Sequence, residues 1–120
     1  MLIYTTYFAK LNKLPKDVVP IAICGKVPEW YTGFRYKPLA PKYTFFMEWK
    51  KNRDNGYYIE HFNKEVLDKL DANEVVNELL RLSNGRMFAL VCYEKPAEFC
   101  HRHLVADWLN KNGFRCEEWK

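Results

Sequence analysis

The sequence predicts an α/β fold: one compact three-layer domain over residues 1–120, with a mainly parallel sheet of about four strands and helices on both faces. Three observations carry this expectation. Leu2–Tyr7, Val18–Cys24 and Met87–Val91 are short, almost uninterrupted apolar runs, as parallel strands covered on both sides tend to be. Apolar residues at helical spacing fill the interval between the second and third runs. A chain of 120 residues with 48% hydrophobic content supplies one core and no second.

In chain order, Leu2–Tyr7 is the first strand, with Thr5, Thr6 and Tyr7 at its exit. Asn12–Asp17 is a polar connection holding Pro15, and Val18–Cys24 is the second strand, closed by Gly25 and Lys26. Glu29–Leu39 lacks a period and reads as a loop or a single helical turn, rich in aromatic and basic residues. Pro41 suits the first turn of a helix, whose buried stripe is Phe45, Phe46 and Trp49. Lys50, Lys51 and Arg53 fall near its C-terminus, where cations suit the dipole, and Asn55-Gly56 is expected to stop it.

Ile59, Phe62, Val66 and Leu70 recur at helical spacing and mark a second helix. Asp71 then stands as an N-cap with Glu74 as its capping-box partner, ahead of core-facing Val75, Val76, Leu79 and Leu80. Asn84-Gly85 ends that helix. The third strand leads through Cys92-Tyr93-Glu94-Lys95-Pro96 to an amphipathic helix opened by Cys100-His101-Arg102-His103, and Phe114–Trp119 is the last strand.

Composition removes several classes of function. Aromatic content of 17% is that of a packed protein rather than a disordered one. No apolar run approaches the roughly 20 residues of a membrane span. Met1-Leu2-Ile3-Tyr4 enters a strand directly, with no secretory pattern, so the expected location is cytoplasmic, with four reduced thiols. A net charge of +4 favours anionic ligands but falls short of a nucleic-acid stripe. Nothing in the sequence indicates an oligomeric state.

The chemistry gathers where the third strand exits. Open α/β sheets bind ligands outside the carboxyl ends of their strands. There the free N–H groups of a helix N-terminus and the guanidinium of Arg102 make an anion grip, with Arg102 expected at the rim. The helical wheel turns His101 toward the sheet and His103 toward solvent. The milder reading pairs Arg102 with Glu98 or Glu94 and makes His101 a satisfied core histidine. Cys100, at a helix N-terminus, is a candidate nucleophile. Glu94 is a candidate acid–base or nucleophilic carboxylate, with Lys95 beside it.

A phosphatase loop needs arginine six residues after its cysteine, and Glu98 occupies that place after Cys92. Cys92, Cys100, His101 and His103 are metal-ligand types, but a helix points the two histidines apart, so neither metal nor other cofactor is expected. Thr6, Tyr7 and Lys26 from the other exits are candidate ribose or phosphate contacts, and Trp30 a base-stacking ring.

The run Leu90-Val91-Cys92-Tyr93-Glu94-Lys95-Pro96, followed by Cys100-His101-Arg102, resembles the domain of unknown function 488 family. That family's signature is a strand ending Cys-x-Glu-Lys, a short connection, and Cys-His-Arg opening a helix. Cys92, Glu94, Lys95, Cys100, His101 and Arg102 match it residue by residue. The likeness is specific over the last third of the chain and looser elsewhere; the family's first strand often ends Thr-Ile-Gly, where this chain has Thr5-Thr6-Tyr7. The resemblance implies a compact α/β fold and a shared site, and brings no substrate with it.

The leading expectation is a protein that binds a phosphate-bearing, nucleotide-type ligand at the carboxyl edge of its sheet. Glu94 and Cys100 would act on a glycosidic or phosphate bond; Thr6, Tyr7, Lys26, Trp30, Cys92, Lys95, His101 and Arg102 would line the site. The alternatives are a non-catalytic module that binds nucleic acid or sequesters nucleotides, using Trp30, Arg35 and the basic end of the Pro41 helix, and a thiol-dependent enzyme.

Overall fold

The computed structural model describes residues 1–120. Strands β1 (Leu2–Tyr7), β2 (Val19–Ala22) and β3 (Phe34–Arg35) come first, then helices α1 (Tyr43–Asn52), α2 (Asn55–Glu65) and α3 (Ala72–Leu82). Strand β4 (Phe88–Cys92), helix α4 (His101–Lys111) and strand β5 (Arg115–Glu118) complete the chain. Single 3₁₀ segments cover Phe8–Lys13, Lys37–Leu39 and Leu67–Lys69.

The five strands form one sheet in the order β3-β2-β4-β1-β5, and every neighbouring pair is parallel. β4, buried along its whole length, lies at the centre. The fifth strand is β3, two residues inside the stretch expected to be loop or helical turn; it adds to the edge of β2 through Ile21–Phe34 and Ala22–Arg35.

The strand order dictates the layers. From β1 to β2 to β3 the chain steps one way across the sheet; from β3 to β4 to β5 it steps back. Right-handed crossovers then put the first two connections on one face and the last two on the other. Packing agrees. Ile3, Ile21 and Leu90 share one cluster with Phe45, Phe62, Val75, Leu79, Val105 and Leu109 of the four α-helices. Ala22 and Val91 pack instead with Phe8 of the first 3₁₀ segment and with Tyr31. The layers are therefore unequal: α-helices on one side, a 3₁₀ helix and a loop on the other.

Local signals explain the helix ends, with three departures. The Asp71 carboxylate accepts the Asn73 N–H at 2.9 Å, capping α3, but Glu74 does not return the bond. At the other end Gly85, at φ 78°, donates to the Leu80 carbonyl at 2.8 Å and closes the helix. α1 ends earlier than Asn55-Gly56: Arg53 turns left-handed at φ 55°, and Asp54 caps α2 through the Tyr57 N–H at 3.2 Å. Asn55 and Gly56 thus open α2 rather than stop α1. α2 in turn ends at Glu65, short of Val66 and Leu70, and Ile59 is exposed on its outer side. No helix is long and apolar enough to cross a membrane.

Candidate functional site

The reversal in chain direction has its consequence at the carboxyl ends of β2 and β4. Ala22 pairs with Val91, so the two strands exit side by side and bring Cys24 next to Cys92. Their onward connections leave toward opposite faces, and such a switch point opens a crevice. Here it is a cleft of about 1000 Å³.

Its floor holds Cys24, Cys92, Cys100 and His101, all buried. Tyr58, Phe46, Trp49 and Phe99 give it an aromatic wall, with Phe99 5.0 Å from Tyr58 and 5.6 Å from Trp49 between ring centroids. Lys26, Lys37, Lys42, Lys50, Lys69 and Arg53 line the cleft against two carboxylates, Glu65 and Glu94. Low-dielectric walls carrying mostly one sign of charge focus the field, and here cations outnumber carboxylates.

The floor is organised by α4. Cys100 is its N-cap, in extended conformation, and makes no side-chain capping hydrogen bond. His101 follows and turns inward, 5% exposed, as the wheel requires. Its Nε2 lies 2.7 Å from the Ile23 carbonyl, and its Nδ1 lies 3.5 Å from the Cys92 sulfur. The Cys92 thiol beside it holds the Cys100 thiol far below its ordinary range, to about 3, against the opposing effect of burial. Cys92 itself, set between the sulfurs of Cys100 and Cys24, is pushed well up and keeps its proton. All four cysteines are free thiols.

Glu94, exposed on the connection after β4, lines the cleft. Partial burial, and then the adjacent Glu98 carboxyl, raise its pKa.

Arg102 is where the structure corrects the sequence reading. Instead of standing at the rim it is fully buried, outside the cleft lining, and its charge is already answered. Its partner is neither Glu98 nor the Glu94 side chain but Glu118 at the end of β5, 2.9 Å away, while its Nη1 donates to the Glu94 carbonyl at 2.6 Å. Arg102 thereby pins the connection that carries Glu94. His103 likewise departs from its expected solvated position: it is half-buried, and its Nε2 is enclosed without a partner.

The remaining expected residues divide. Lys26, Cys92, Glu94, Cys100 and His101 meet in the cleft. Thr6, fully buried, shares the opposite face with Val91, and Tyr7 lies beneath the Arg102 guanidinium, 5.8 Å from its ring centroid. Trp30 stands outside, 61% exposed, edge-on to Phe8 at 6.0 Å, and Lys95 is exposed on the connection. Sequence reasoning missed Trp49, Phe99, Lys42 and Lys69 as cleft walls and Glu118 as an anchor. For Lys50 and Arg53 the signal was present as a basic helix end, but its placement over β2 and β4 is tertiary.

No curated protein and no solved structure matches this chain. A family model, that of DUF488-N3a, described as the active DUF488-N3 subclade, matches residues 7–113. That span includes the whole floor of the cleft, from Cys24 to His101, and leaves out the first six residues and residues 114–120, which hold all of β5. With nearly the whole chain matched, this protein belongs to the domain of unknown function 488 family, in its N3 subclade.

Proposed function

We propose that the protein binds a phosphate-bearing, nucleotide-type ligand in this cleft and acts on it by hydrolysis or transfer at a glycosidic or phosphate bond. One observation carries the reading: the cleft sets six cations against two carboxylates, beside an aromatic wall, and ends on a cysteine at a helix N-terminus. Phosphate answers the lysines, and a base or sugar answers Trp49 and Phe99. The grip assigned to Arg102 passes to Lys26, Lys50 and Arg53, because Arg102 is engaged with Glu118. The description of the subclade as active accords with chemistry rather than sequestration alone.

In this reading the Cys100 sulfur supplies the electron pair that displaces the leaving group. Glu94 gives the departing group its proton and then takes one from the water that frees the product and restores the sulfur.

The test is a panel of nucleotides incubated with the full chain and followed by mass spectrometry. Turnover of a phosphate-bearing member is expected, lost in Cys100→Ser and slowed about 100-fold or more in Glu94→Gln. Lys50→Glu combined with Arg53→Glu weakens binding. Retention without any product, or salt-sensitive binding to single-stranded oligonucleotides alone, would favour the binding module instead. A panel neither retained nor altered sinks the reading.

A further inference from the structure

The Cys92 and Cys100 sulfurs and a His101 ring nitrogen lie within 4.8 Å of one another, all on buried side chains. His103 takes no part, as the helix geometry requires. Bonds of about 2.3 Å to sulfur and about 2.05 Å to nitrogen, opened at a tetrahedral angle, hold two such donors about 3.5 Å apart. Cys92 Sγ and His101 Nδ1 already stand 3.5 Å apart.

The imidazole is also fixed from behind. A carbonyl oxygen only accepts, so the 2.7 Å contact from His101 Nε2 to the Ile23 oxygen places the ring proton on Nε2. Nδ1 faces the Cys92 sulfur, and in the neutral ring it carries the lone pair a metal would take. Metal-bound histidines make this kind of outer bond, which sets both tautomer and ring orientation. Phe62, 5.5 Å away between centroids, limits rotation further. Cys24 is close but turned aside: its thiol donates to the Lys26 carbonyl at 3.1 Å. Cys92, Cys100 and His101 all line the cleft.

We propose that Cys92, Cys100 and His101 bind a thiophilic divalent cation of the zinc class, with its fourth coordination position open to the cleft. Two sulfurs and an imidazole select such an ion over the oxygen-seeking magnesium and calcium. An oxygen of an anionic ligand would complete the tetrahedron. The inference goes beyond the proposed function and competes with it at one atom. While the ion is bound, the Cys100 lone pair is a ligand, so metal loading and nucleophilic attack by Cys100 exclude each other.

The test uses the full chain, reduced and stripped by chelator, titrated with Co²⁺ without oxygen and then with Zn²⁺. One Co²⁺ per chain is expected, with the strong visible absorption of a tetrahedral ion and a sulfur-to-cobalt charge-transfer band, both displaced by Zn²⁺. Cys92→Ser and Cys100→Ser each weaken binding by about tenfold or more. Cys116→Ser, on β5 outside the cluster, binds as the parent does. A weak octahedral spectrum without the charge-transfer band overturns the proposal, and the parent protein alone gives that answer should a variant not fold. No nucleotide enters the measurement. A failed nucleotide panel therefore leaves this site standing, and a failed titration leaves the anion cleft standing.

Discussion

Arg102 and Glu118 meet as a two-point ion pair inside the fold: Nε donates to one carboxylate oxygen at 3.1 Å and Nη2 to the other at 2.9 Å. The Arg102 side chain is 0% exposed and that of Glu118 15%. Thr5 Oγ1 donates to the same carboxylate at 2.7 Å, so β1, β5 and α4 are tied at one point. Removing one member strands the other charge in a dry place, whereas removing both does not. Arg102→Met should cost about 3–5 kcal/mol of stability in urea unfolding. Arg102→Met with Glu118→Leu should recover most of that loss. Additive losses in the double variant would show that the two side chains are not coupled.

Thr6 is a contrasting case. Its side chain is fully buried and its hydroxyl has no hydrogen-bond partner. A buried hydroxyl without a partner costs free energy that a methyl group does not. Thr6→Val should therefore leave stability unchanged or raise it by up to about 1 kcal/mol. A loss larger than that in thermal or urea unfolding would mean the hydroxyl has a role in the folded state.

Alkaline pH should weaken the fold. Burial, reinforced by the nearby Glu118 and Glu117, pushes the Cys116 thiol from 9.0 up to about 12. Burial likewise takes the Tyr31 hydroxyl from 10.0 up to about 12. Both groups ionise more readily unfolded than folded, so above pH 9 the folded state holds more protons and stability falls as pH rises. The stability these groups lend is intact below pH 9 and lost through about pH 12. Unfolding free energies measured at intervals over that range should decline, and Cys116→Ala should flatten the first part of the slope. A profile flat to pH 11 would contradict the assignment.

Gly33 is required for space. A Cβ built there would lie 2.5 Å from the Tyr31 hydroxyl oxygen. Tyr31 is buried and donates that hydroxyl to the Phe34 carbonyl, holding the loop that leads into β3. Gly33→Ala should cost about 1–3 kcal/mol, the usual range for overpacking. Adding Tyr31→Phe, which removes the oxygen but keeps the ring carbons 2.7 and 2.9 Å away, should return only part of it. A fully tolerated Gly33→Ala would show that the ring moves aside freely.

Much of this protein was legible along the chain because its signals are local. Unbroken apolar runs such as Phe88–Cys92 mark strands buried on both faces, and the wheel of α4 turned His101 inward without knowledge of what it would meet. The meeting of Cys92, Glu94, Cys100 and His101 past the end of β4 was also expected from residue order alone.

Strand order, and everything that depends on it, belonged to the tertiary structure. Cys24 and Cys92 are 68 positions apart, and only the insertion of β4 between β2 and β1 makes them neighbours on one floor. Arg102 passed over nearby Glu98 for Glu118, because β5 docks beside β1 and brings that carboxylate beneath the start of α4. The basic end of α1 came to line the cleft for the same reason. Periodicity and capping act within a turn or two of chain, whereas pairing between strands and the burial of charge are decided by whichever distant segments the closed core presses together.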